Sequence, residues 1–193
     1  MSASLFKKLR VYLTGTPLAG CGETSRQLGR IYQPGFKPAA AAFADTGVWN
    51  VVVNFDGGKV PVAIRPKLRI ARVYDPSDKE DQGRDPHVRD EARFLRQAQG
   101  VIYVVDSQVA RLDANVAGVT ELVGVLSRLG RDPAEVPVVF QLNKRDLSNI
   151  ASESVLRQAL RWSRSDCVCT VATKGQGIDR LVPTALQLIG RHK

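Results

Sequence analysis

Four short apolar runs, LRVYL (9–13), VIYVVD (101–106), VPVVFQLN (136–143) and CVCTVA (167–172), recur along the chain with helix-length segments between most of them. This alternation constrains the fold more than any other feature. Runs of this length without polar interruption suit strands buried on both faces, which occur in parallel sheets covered by helices. The intervening LDANVAGVTELVGVLSRLG has apolar residues at spacings of three and four and stops at Gly130. SESVLRQALRWS has a helical period but only part of a capping box, since Val155 stands three residues after Ser152 where an acid or amide belongs. GIDRLVPTALQLIG closes the pattern as a helix in which Pro183 predicts either a kink or a late start. Strand and helix in alternation imply right-handed crossovers and helices on both faces of the sheet.

Residues 48–74 break the rhythm. VWNVVVNF, DGG and VAIRPKLRIARVY read as two strands joined by a turn, with Asp56 and the glycines supplying left-handed backbone. The expected sheet therefore has six strands and is mixed, with one antiparallel edge. At 193 residues and 44% hydrophobic composition, the chain suits one globular domain, 1–193, with no repeat or linker dividing it. No apolar run reaches the roughly 20 residues of a spanning helix, and MSASLFKKLR does not read as a secretion signal, so a cytoplasmic location is expected.

In such a sheet, ligands bind beyond the carboxyl ends of the strands. QLNKRDL stands there, and its Asn143, Lys144 and Asp146 form an NKxD motif after a buried strand. The aspartate accepts hydrogen bonds from guanine N1 and N2, whereas adenine would leave a buried acceptor facing another acceptor. Lys144 would lay its stem along the base and Asn143 would brace the neighbouring loop. VATKGQGI follows the next strand. It resembles the small-residue loop of GTPases, written SAxxGxGI, which implies that a backbone N–H near Ala172 and Thr173 would meet guanine O6, with Gly175 and Gly177 supplying the turn.

With these motifs, the block GVIYVVDSQVARLDANVAGVTELVGVL and the QLNKRDL after it resemble the MglA-type Ras-like GTPases of bacterial motility and cell polarity. The resemblance implies a Ras-like P-loop GTPase fold, binding of GTP or GDP with Mg²⁺, and a Roadblock-domain partner of the MglB kind that contacts the switch regions. The match is specific over 100–147 and weaker over about 150 residues.

Departures from the family cluster at the phosphate end. In TGTPLAGCGETSRQLG, one alignment sets Gly22 at the last loop glycine, Glu23 at the lysine, Thr24 at the Mg²⁺ ligand and Ser25 after it, which lengthens the loop by two residues. The alternative takes Gly15 to Gly20 as GxxxxG and puts Cys21 at the lysine and Gly22 at the threonine. The first is preferred because it keeps Thr24 at a helix mouth, where free amides favour an anion. In that register the change from lysine to glutamate reverses a charge worth on the order of 4 kcal/mol at about 4 Å.

Downstream, Pro76 is kept where the family has P-G-Q, but Ser77 and Asp78 follow; Asp78 is the weak catalytic candidate for holding a water. The charged stretch 77–99 is some six residues longer than in the family and is a candidate partner surface. Asp45 and Thr46 stand where the family places its switch threonine, making Thr46 a second Mg²⁺ candidate. The expected function is a guanine-nucleotide-binding protein with impaired or absent hydrolysis that acts mainly as an interaction module. Two alternatives stay open: a slow GTPase with Arg26 or Lys59 replacing the lysine, and a nucleotide-free basic module for an acidic partner or nucleic acid. The net charge of +9 is spread along the chain and aromatics are 6%, which argues against nucleic acid. His87 and His192 join no catalytic pair, and Cys21, Cys167 and Cys169 read as buried thiols.

Overall fold

The structure is a computed structural model in which residues 8–33, 48–66 and 86–191 are described. Its strands are β1 (Leu9–Gly15), β2 (Trp49–Phe55), β3 (Gly58–Pro66), β4 (Gly100–Asp106), β5 (Val138–Asn143) and β6 (Ser165–Cys169). The helices are α1 (Cys21–Tyr32), α2 (Pro86–Gln97), α3 (Leu112–Arg128), α4 (Glu153–Leu160) and α5 (Leu181–Gly190). The strands form one sheet in the order β2-β3-β1-β4-β5-β6, with β2 antiparallel to β3 and the other pairs parallel. The mixed six-stranded α/β architecture expected from the sequence is the one observed.

Burial explains the composition of each strand. Every residue of β4 and β5 is buried, so these strands are covered on both faces. In β2, at the sheet edge, buried Trp49, Val51 and Val53 alternate with exposed Asn50, Val52 and Asn54. One apolar layer joins Leu28 of α1 and Leu181, Val182, Ala185 and Leu186 of α5 to the sheet. The opposite layer takes Phe94 and Leu95 of α2, Leu122 and Leu126 of α3, and Leu156 and Leu160 of α4. The end of the charged 77–99 stretch is thus helix α2, whose Ala92, Phe94 and Leu95 are buried in the core.

Four local expectations are resolved. Asp56 and Gly57 both have positive φ, and Phe55 pairs with Gly58, so the hairpin closes on a two-residue turn. Pro183 is the third residue of α5, in the first turn, where its missing N–H costs no helical hydrogen bond; the proline marks a late start and not a kink. Strand β6 ends at Cys169, short of the expected Ala172, because the chain turns to hydrogen-bond with the β5 end. Helix α4 likewise stops at Leu160, before the expected Ser163, on Arg161 in the left-handed region. No helix among the described residues is long and apolar enough to cross a membrane.

Candidate functional site

Four loops meet at the carboxyl ends of the central strands. The first runs from Gly15, the last residue of β1, to Gly20, which caps α1 with φ 108°. Gly20 is required twice over, since its backbone is left-handed and a Cβ there would lie 2.4 Å from the Asn143 amide nitrogen. Inside the loop, Thr16 to Ala19 form a β-turn closed by a 3.0 Å hydrogen bond from the Ala19 N–H to the Thr16 carbonyl. Pro17 stands second in the turn and Leu18, with φ 68°, third, which is the type II pattern.

This geometry settles the register of the loop. Gly15 and Gly20 have the GxxxxG spacing, and the helix begins at the next residue, Cys21. The register preferred from the sequence is therefore corrected to its alternative, with Cys21 at the lysine position and Gly22 after it. Thr24 is fully buried, and its hydroxyl accepts a 2.8 Å hydrogen bond from Gln141 Nε2 on β5, so it faces the sheet and cannot ligate Mg²⁺ at the helix mouth. Ser25 is 1% exposed and equally withdrawn. Glu23 lines one cleft with Asp146, pairs with Arg26 and accepts a 3.1 Å hydrogen bond from Gln27 Nε2. Gly22 offers no hydroxyl, and burial pushes the Cys21 thiol up to about 12, leaving it neutral at pH 7. The described residues at this loop thus provide no side-chain ligand suited to Mg²⁺. Thr46, Asp78, Asp45, Pro76, Ser77 and His192 lie outside the described residues, as does the side chain of His87.

The second loop carries Asn143, Lys144 and Asp146. Asn143, 3% exposed, donates from Nδ2 to the Ala19 carbonyl at 2.8 Å. Its Oδ1 accepts from the Thr170 hydroxyl at 3.1 Å and from the Ala172 N–H at 2.9 Å. One side chain therefore joins the loop after β1, the end of β5 and the loop after β6. The Ala172 amide, expected to meet guanine O6, is committed to Asn143, whereas the exposed Thr173 N–H makes no hydrogen bond among the described residues. Lys144 has φ 64° and sets its ammonium 2.7 Å from Asp106 Oδ2. Asp146 stands at the rim, 3.3 Å from the Lys174 ammonium. Together with Gly20, Glu23, Leu147 and Val171, these residues line a cleft of about 210 Å³.

Sequence reasoning missed the hub of the site, Asp106. It is 1% exposed at the end of β4, accepts the Gln108 N–H at 3.1 Å on Oδ1, and holds Lys144 and, at 3.9 Å, Arg111 Nε on Oδ2. Asn115 on α3 completes the strand end: its Oδ1 accepts the Asp106 N–H at 3.2 Å and its Nδ2 donates to the Asp106 carbonyl at 2.7 Å. The DSQ and DAN segments, read from the sequence only as a signature, are thus two halves of one hydrogen-bonded turn. A buried aspartate after an apolar strand, with an asparagine nine residues on, was the available signal.

The Arg26 and Lys59 alternatives for the missing lysine do not suit this geometry. Lys59 pairs with Asn54 at the β2–β3 turn, beyond the end of the sheet at which β1 begins, and Arg26 is paired with Glu23.

No family profile matches the sequence. The chain is 33% identical over 96 residues to the mutual gliding-motility protein MglA of Myxococcus xanthus (strain DK1622), a match covering 50% of this chain and 49% of that protein. It therefore spans about half the length of the curated relative it matches. Among solved structures, the Arl6 BBS3 small GTPase from Trypanosoma brucei with bound nucleotide analogue GppNp aligns over 97% of this chain and 100% of that chain, with a TM-score of 0.62 and 19% identity. The second likeness establishes the fold, that of a small GTPase, and the first a similarity to MglA over half of this chain.

Proposed function

We propose that the chain is a guanine-nucleotide-binding protein that keeps the base-reading end of its site, has impaired or absent hydrolysis, and works mainly by binding other proteins. The observation that carries this reading is the contrast within one site. At the base end, Asp146 opens on a cleft whose three loops are tied together by Asn143. At the phosphate end, a neutral buried thiol stands at the lysine position and a glycine follows it. A positive charge about 4 Å from a phosphate oxygen contributes on the order of 4 kcal/mol at an effective dielectric near 20, and Cys21 contributes none of it. Phosphoryl transfer depends on charge neutralisation and positioning, so a loop with cysteine in place of that lysine and glycine after it suits binding more than hydrolysis.

The name of the Myxococcus relative associates it with gliding motility. That relationship supports a role in bacterial polarity or motility with a Roadblock-domain protein of the MglB kind as partner, GTP or GDP being the bound ligand. The test is the nucleotide released when gently purified protein is denatured and the supernatant chromatographed. Guanine nucleotide in the wild type and none in Asp146→Ala is expected; adenine nucleotide, or no nucleotide in either, overturns the reading.

A further inference from the structure

The loop that lacks a lysine is touched by a cation from a different element. Arg111, at the turn between β4 and α3, donates from Nη2 to the Pro17 carbonyl at 2.7 Å. Its side chain is 32% exposed, and its Nε, 3.9 Å from Asp106 Oδ2, is buried with no hydrogen-bond partner. Of five N–H donors, the bond to Pro17 uses one. The acceptor is the carbonyl at the centre of a type II turn whose third residue, Leu18, holds φ 68° without being glycine. Arg111 thus touches that peptide from the rim of the loop, with the Asp106 carboxylate as its nearest anion.

We propose that Arg111 supplies the positive charge that position 21 lacks, and that it is the anion-binding side chain of this site toward the diphosphate of a guanine nucleotide. The proposal rests on the guanine reading above. An anion arriving on the free amides of the loop and of the α1 N-terminus meets a guanidinium that exchanges a neutral carbonyl acceptor for a charged one. Charge-assisted hydrogen bonds are about twice as strong as neutral ones, so the exchange favours the anion. Because Asp106 binds both Arg111 and Lys144, the same carboxylate sets the cation at the phosphate end and the NKxD lysine at the base end.

The experiment titrates guanosine and GDP, in EDTA, against wild type, Arg111→Ala and Arg111→Lys, with melting curves to verify folding. Wild type is expected to bind GDP at least about tenfold more tightly than guanosine. Arg111→Ala should bring that ratio to within about twofold of unity, and Arg111→Lys, which keeps the charge but loses the planar fork, should keep part of it. A ratio unchanged in Arg111→Ala overturns the proposal while leaving the guanine reading intact. Should that variant not fold, Arg111→Gln, which removes the charge but keeps a polar side chain, takes its place, and an unchanged ratio in it overturns the proposal in the same way. Wild type that binds neither ligand overturns both.

Discussion

Cys21 and Leu18 show how single positions set the behaviour of the loop. Cys21 and Gly22 open α1, and on the proposed reading they stand where a lysine would meet the phosphates and a hydroxyl the metal. Cys21→Lys with Gly22→Ser should raise GTP affinity more than tenfold and make it depend on Mg²⁺, as titrations with and without EDTA would read. The empty double variant should melt below wild type, because a desolvated ammonium then has no partner, and GTP should restore the loss. Leu18 is 83% exposed and left-handed, so Leu18→Gly sacrifices little packing and relieves backbone strain. A gain of up to about 1 kcal/mol in urea unfolding is expected. The thiol also predicts a pH dependence. Burial raises its folded pKa from 9.0 to about 12, so the folded state holds its proton more tightly than the unfolded chain. That contribution is fully present below pH 9 and is lost as pH rises toward 12. Tyr103 and Cys167 are pushed up to about 12 by burial as well, so stability should fall across this window, and Cys21→Ala should flatten part of the fall.

At the scale of elements, the site is held by side chains that act as strand partners. Asn115 on α3 pairs with both the N–H and the carbonyl of Asp106, extending the hydrogen bonding of β4 past its last residue. Asn115→Ala leaves two buried backbone groups without partners and should cost about 2–3 kcal/mol in urea unfolding. Gln141 plays a similar part on β5, donating to Thr24 of α1 at 2.8 Å and to Thr170 beyond β6 at 3.0 Å. These contacts explain why the NKxD turn follows a strand that carries a polar residue in an otherwise apolar run. The burial of β4 and β5 was legible from the sequence as unbroken apolar runs, whereas the alternation of β2 emerged with its place at the sheet edge. The exact ends of β6 and α4 were not, since they depend on Asn143 and on a left-handed Arg161.

For the whole molecule, the proposed reading predicts nucleotide retention insensitive to chelation, because neither the base contacts nor Arg111 would need a metal. Wild type passed through EDTA should keep its guanine nucleotide, and single-turnover phosphate release should not exceed buffer; loss of nucleotide on chelation would contradict this. By itself, the sequence determined the sheet, its antiparallel edge and the NKxD turn, because apolar period and local turn chemistry are properties of short segments. It left the register of the phosphate loop open, since two glycine spacings satisfy the same string of residues. Only the tertiary structure decided it: Gly20 must pass 2.4 Å from Asn143 at the site of a Cβ, and Thr24 must meet Gln141, 117 residues away. The same holds for Asp106 and Arg111, whose partners Lys144 and Pro17 lie 38 and 94 residues away along the chain. Contacts of that separation leave no period in the sequence, because they are set by how the sheet brings its strand ends together.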